Sequence, residues 1–160
     1  MSEAQRAQEL PASPPAGERR ADEVAVPDVE LYLPARPESV SIARQAVCGV
    51  GDALLMEEGR LADIALAVTE ACTNVVMHAY PEGDGDYELR VWIQHHRVLI
   101  AVRDHGGGVT PRMPGAKTGL GLGLPLMLAV CDEVTFARGT DGSMEVRLAF
   151  RLDDDTDPEP

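Results

Sequence analysis

From Leu61 to Ala79, apolar side chains return every three or four positions. Leu61, Ile64, Ala65, Val68, Ala71, Cys72, Val75 and Ala79 therefore fall on one stripe of a helix spanning about Arg60 to Tyr80. Such a stripe needs an apolar surface to cover. The rest of the chain offers strands: Val29, Leu31 and Leu33 alternate before Pro34 and Pro37, and further strands are expected over 87–94, 98–103, 133–137 and 144–151. A helix opened by Ser39 or Ser41 and running to about Glu58, with Gly51 as its weak point, and another from Leu120 to Val130 complete the list. The order is strand, two helices, two strands, helix, two strands. Strand pairs interrupted by helices, without regular alternation, predict an α+β fold: a mostly antiparallel sheet with helices on one face.

A chain of 160 residues is one domain long and large enough to bury a core without disulfides or metal. Residues 1–27 are rich in Ala, Glu, Pro and Arg and read as a disordered arm; 28–152 form the domain; 153–160, with five acids and no base, read as an acidic disordered tail. The net charge of −13 argues against direct nucleic-acid binding, which needs clustered Lys or Arg. No apolar run approaches the ~20 residues of a membrane span, and the polar start lacks a signal-peptide core, so a cytoplasmic protein away from membranes is expected. Cys48, Cys72 and Cys131 are widely spaced and odd in number, which suits reduced thiols.

Three stretches carry chemistry. Glu70, Asn74 and His78 stand at i, i+4 and i+8, a polar row beside the apolar stripe. A carboxylate can take a proton from an attacking hydroxyl, and an amide oxygen one turn on can bind a hard cation such as magnesium; the same row also suits a plain solvated face, and His78 also suits a capping or packing role. Asp104 follows an apolar strand directly and precedes Gly106, Gly107 and Gly108. A strand-end carboxylate on such a backbone can accept a hydrogen bond from an exocyclic amine such as adenine's, although an Asp- and Gly-rich hairpin turn has the same composition. Gly119, Gly121 and Gly123 open a helix, where backbone N–H groups favour phosphate. A Walker A loop would need glycines where Pro111 and Ala116 stand, and a dinucleotide turn would need one at Leu124. Arg112 and Lys117 lie in a loop of prolines and Gly115, either as phosphate contacts or as solvent-exposed charges.

TEACTNVVMHAY, VRDHGGGV and GLGLGLPLM resemble, in this order, the N, G1 and G2 boxes of the GHKL ATPases, which include type II topoisomerases, heat-shock chaperones, mismatch-repair proteins and histidine kinases. The DEVTF stretch and the chain length are most similar to the small anti-sigma factor serine/threonine kinases. The resemblance spans about Leu31 to Leu152. It implies a two-layer α/β sandwich of the histidine-kinase-like (Bergerat) type, with a mostly antiparallel mixed sheet, and the cofactors ATP and Mg. Glu70 would be the catalytic base, Asn74 the Mg ligand, and Asp104 the reader of adenine in a pocket shaped by Gly106 and Gly108. Gly119, Gly121 and Gly123, with Lys117, Thr118, Leu120 and Leu122 around them, would hold the phosphates beneath a lid over 109–118; His78 borders the same nucleotide site. Ser143 would replace the usual threonine of the final box, and Gly107 stands where relatives often carry a lysine. The implied partners are a sigma factor and an anti-sigma factor antagonist, the latter being the phosphorylation substrate, and relatives are commonly homodimers. The alternative is a switch module that binds ATP with little phosphoryl transfer.

Overall fold

The computed structural model describes residues 25–81, 83–106 and 123–152. Its elements run β1 (Val29–Pro34), α1 (Pro37–Ala53), α2 (Glu58–Asn74), a π-turn (Val75–Ala79), β2 (Asp86–Gln94), β3 (Arg97–Asp104), α3 (Gly123–Val130), β4 (Glu133–Arg138) and β5 (Met144–Arg151). The five strands form one sheet in the order β1-β2-β3-β5-β4, and every pair is antiparallel. This is the expected α+β architecture.

One face of the sheet is apolar at alternate positions. Tyr87, Leu89 and Val91 of β2, Val98, Ile100 and Val102 of β3, and Leu148 and Phe150 of β5 are all fully buried there. The helices cover them with Ala43 and Val47 of α1, the stripe of α2, and Met127 of α3. Burying each large side chain contributes roughly 1.5–3 kcal/mol, so this single layer boundary carries the fold. The opposite face alternates charges: Arg90 of β2 pairs with Glu30 of β1 at 2.7 Å and with its own strand's Glu88, and Arg147 pairs with Glu145 on β5.

Both ends of α1 and both ends of α2 differ from expectation. α1 begins at Pro37, after Arg36 in an extended conformation, and neither Ser39 nor Ser41 caps it. Proline suits the first helical position because its fixed φ is helical and its missing N–H had no partner to lose; Ser39 is buried within the first turn instead. The helix also stops at Ala53, not near Glu58. Leu55 adopts φ 55°, and the N–H groups of Leu55 and Met56 return to the carbonyls of Asp52 and Gly51 at 3.1 Å each. That is a Schellman ending with leucine at the position glycine usually fills. Gly51 lies inside α1 and is also a contact: a Cβ there would lie 2.3 Å from Cδ1 of Leu61, where α1 meets α2.

α2 starts at Glu58, before the expected Arg60, with Gly59 inside its first turn. Arg60 ties it to the β4–β5 end of the sheet. Its guanidinium pairs with Asp132, donates from Nε to the Arg151 carbonyl at 3.1 Å, and lies 5.6 Å from the Phe150 ring centroid. The α-helical register ends at Asn74 and widens into the π-turn, which ends at Ala79 just before Tyr80. No described helix is long and apolar enough to cross a membrane. All three cysteines are free; Cys72 is buried, and Cys48 and Cys131 are half-buried.

Candidate nucleotide site

Glu70 and Asn74 occupy the last turns of α2, one turn apart, with Glu70 half-buried and Asn74 exposed. They face the first residue of α3. A Cβ built on Gly123 would lie 2.9 Å from Glu70 Oε2, 3.6 Å from Asn74 Oδ1 and 3.7 Å from Asn74 Nδ2. The absence of a side chain at Gly123 therefore lets the start of α3 close onto the acid and the amide together. No acidic side chain stands in the first turn of α3, and Pro125 is tolerated there because first-turn N–H groups have no intrahelical partner. The positive end of the helix is thus presented beside two oxygen-bearing side chains.

Asp104 ends β3, paired in register with Tyr87 of β2 and Met144 of β5. It is only 8% exposed. Among the described residues its side chain takes one hydrogen bond, to Oδ1 from the Gly106 N–H at 3.0 Å. Burial raises its pKa above the ordinary carboxylate value, against the opposing pull of that N–H and of His105. A buried acid with spare acceptor capacity suits a donor from a ligand.

Gly106 passes against the end of the π-turn. A Cβ there would sit 2.0 Å from the Ala79 carbonyl oxygen and 3.0 Å from Cε1 of Tyr80, so only glycine fits without movement. His78 is exposed on the π-turn. The widened register intervenes between Asn74 and His78, so His78 does not continue the straight α-helical row that links Glu70 to Asn74. Ser143, 2% exposed, precedes β5. Its hydroxyl donates to Asp141 Oδ1 at 2.6 Å and accepts from Arg103 Nη2 at 3.0 Å. Strand alternation puts Arg103 on the opposite sheet face from Asp104, so in this arrangement the Ser143 hydroxyl serves the charged face. Gly108, Lys117, Thr118, Gly119, Leu120, Gly121 and Leu122, and the lid expected over 109–118, lie outside the described residues.

The contacts of one contributor, Tyr80, leave no signal in the sequence. The Tyr80 hydroxyl donates to the Asp86 carbonyl and accepts from the His105 N–H at 2.9 Å. These partners lie 6 and 25 residues away in the chain, and no periodicity or motif points to them.

The histidine kinase-like ATPase domain matches as a family over residues 33–150. The chain belongs to that family. Serine-protein kinase RsbW of Bacillus pumilus is 34% identical to this ATPase domain over 122 residues, covering 66% of this chain and 75% of that protein. RsbW of Bacillus subtilis is 34% identical over 120 residues with the same coverage. A crystal structure of the RsbU and RsbW domains of a Mycobacterium tuberculosis protein shares the fold, with a TM-score of 0.60 over 78% of this chain at 21% identity. The present chain spans 32% of that longer one. The resemblance carried by the three motifs is thus borne out for the family and for the kinase class of its relatives, and ATP is the nucleotide of the family.

Proposed function

We propose that this ATPase domain is an ATP-dependent protein serine/threonine kinase acting as an anti-sigma factor in the cytoplasm. In one state it sequesters a sigma factor; in another it phosphorylates an anti-sigma factor antagonist. The observation that carries the reading is the convergence of Glu70 and Asn74 on the first residue of α3, with the buried Asp104 at the end of β3.

The donor set fits a magnesium nucleotide. Asn74 Oδ1 is a hard oxygen ligand, and Asp104 retains an acceptor for the exocyclic amine of adenine. Glu70 is the proton acceptor for the substrate serine or threonine hydroxyl. Asn74 holds the metal, Asp104 and Gly106 orient the base, and Gly123 borders the phosphates, a role also assigned from the motif to Lys117, Thr118, Gly119, Leu120, Gly121 and Leu122. His78 and Gly108 are assigned to the periphery of the same site, and Ser143 would join it only on releasing Asp141 and Arg103. When bound, magnesium offsets the charge on the transferring phosphoryl group. A phosphate on the antagonist adds roughly −1.5 to −2 charges to its interface, enough to change which partner the chain retains.

The test is incubation of the purified chain with γ-labelled ATP, magnesium and candidate antagonist proteins. Label on a serine or threonine of one antagonist supports the reading. ATP binding without transfer to any of them would leave a nucleotide-dependent switch module and refute the kinase.

A further inference from the structure

Tyr80 is the first residue after the π-turn that follows Asn74. Its hydroxyl joins three segments: it donates to the Asp86 carbonyl at the start of β2 and accepts the His105 N–H just beyond β3. The ring has a slot cut for it. A Cβ on Gly85 would lie 2.2 Å from Tyr80 Cε1, and one on Gly106 would lie 3.0 Å from the same atom. The adjoining Ala79 carbonyl packs directly on Gly106. The Asp104–Gly106 segment is thus held against the end of the Glu70–Asn74 helix by a hydrogen bond and by a backbone contact. On the other side, His105 Nε2 lies 3.2 Å from Glu88 Oε1, so the residue between Asp104 and Gly106 is fixed from both directions. Burial raises the Tyr80 phenol pKa, which keeps its O–H a donor.

We propose that Tyr80 is a positioning residue: it sets the Asp104 carboxylate relative to the Glu70–Asn74 helix and thereby sets the preference of the site for adenine. The proposal rests on the nucleotide-site reading above. Tyr80 touches no reacting atom in this account and acts only through Asp104. A displaced carboxylate loses the adenine amine specifically, while contacts to ribose and phosphate remain.

Tyr80→Phe keeps the ring in its slot and removes only the hydroxyl, so the variant is expected to fold. Calorimetric titrations with ADP and with IDP, whose base carries an acceptor where adenine has its amine, separate the alternatives. Wild type should prefer ADP by about tenfold or more, because a site built for a donor rejects the base lacking it. In Tyr80→Phe the ADP affinity should fall about fivefold, the loss of one ordinary hydrogen bond, with IDP affinity unchanged. An unchanged ADP-to-IDP ratio in the variant, or ADP and IDP affinities falling in step, overturns the positioning role. Wild type that binds ADP no better than IDP instead refutes the Asp104 assignment beneath it, and the proposal falls with it.

Discussion

Replacing Gly106 by alanine probes the joint between the strand-end acid and the end of the helix that carries Glu70 and Asn74. The new methyl carbon would lie 2.0 Å from the Ala79 carbonyl oxygen, 2.6 Å from its carbon and 3.0 Å from Tyr80 Cε1. Carbon and carbonyl oxygen ordinarily approach to about 3.3 Å, so something must move by about an ångström. The obstacle is backbone at the end of a helix, not the tip of a flexible side chain, and cannot rotate aside. Forcing an extra methyl into such a joint costs about 1–3 kcal/mol. For a domain of this size that lowers Tm by about 3–12 °C. The displaced segment also carries Asp104, so ADP affinity should fall by about tenfold or more, as expected when a binding group shifts by an ångström. Thermal unfolding followed by circular dichroism and ADP titration measure both effects. Gly49→Ala is the matched control. It adds the same methyl at an exposed position inside α1 with nothing within 4 Å, and should raise stability by about 0.5–1 kcal/mol by relieving the entropy cost of helical glycine. A Gly106→Ala protein that melts within about 1 °C of wild type and binds ADP equally would refute the steric argument.

Four further outcomes are expected, three of them at Asp104. Burial raises the Asp104 pKa above its ordinary 3.8, so the folded chain holds this proton to higher pH than the unfolded chain. The contribution of the group to stability is therefore greatest below the unfolded value and declines as pH rises through the folded one. With Asp104 as the adenine acceptor, ligand binding runs the other way, because the carboxylate accepts the amine's hydrogen bond more strongly than the neutral acid: ADP affinity should fall on acidification with a midpoint above 3.8. Asp104→Asn should bind ATP more weakly by more than ~1 kcal/mol, and a wild-type-to-variant affinity ratio that stays flat with pH would contradict the assignment. Separately, Leu55→Gly should stabilise the protein. Leu55 is 90% exposed at φ 55°, where a non-glycine residue is strained by about 1–2 kcal/mol. After the entropy cost of glycine, a Tm gain of about 2–4 °C is expected, and a lower Tm would show that the leucine side chain earns its place.

The α2 stripe and the alternation of β1, β2, β3 and β5 were legible because burial on one face imposes a period of 3.6 or 2. The Glu70–Asn74 pair was legible for the same reason: one α-helical turn separates them whatever surrounds the helix. The end of α1 was not, because its Schellman turn uses Leu55 where the usual signal is glycine. The π-turn was not, since no residue type marks a widened register, and His78 was therefore expected on a row that the backbone does not continue. Contacts between distant segments, such as Tyr80 with His105 or Arg60 with Arg151, follow from the assembled sheet and leave no local trace.

The central claim is that Glu70 acts in chemistry and not in binding. The most direct measurement compares wild type and Glu70→Gln in two assays, ADP affinity and transfer of labelled phosphate to the antagonist. The account predicts near-wild-type ADP affinity with transfer reduced about 10²–10⁴-fold, the usual contribution of a positioned general base. Transfer by Glu70→Gln at the wild-type rate would contradict it.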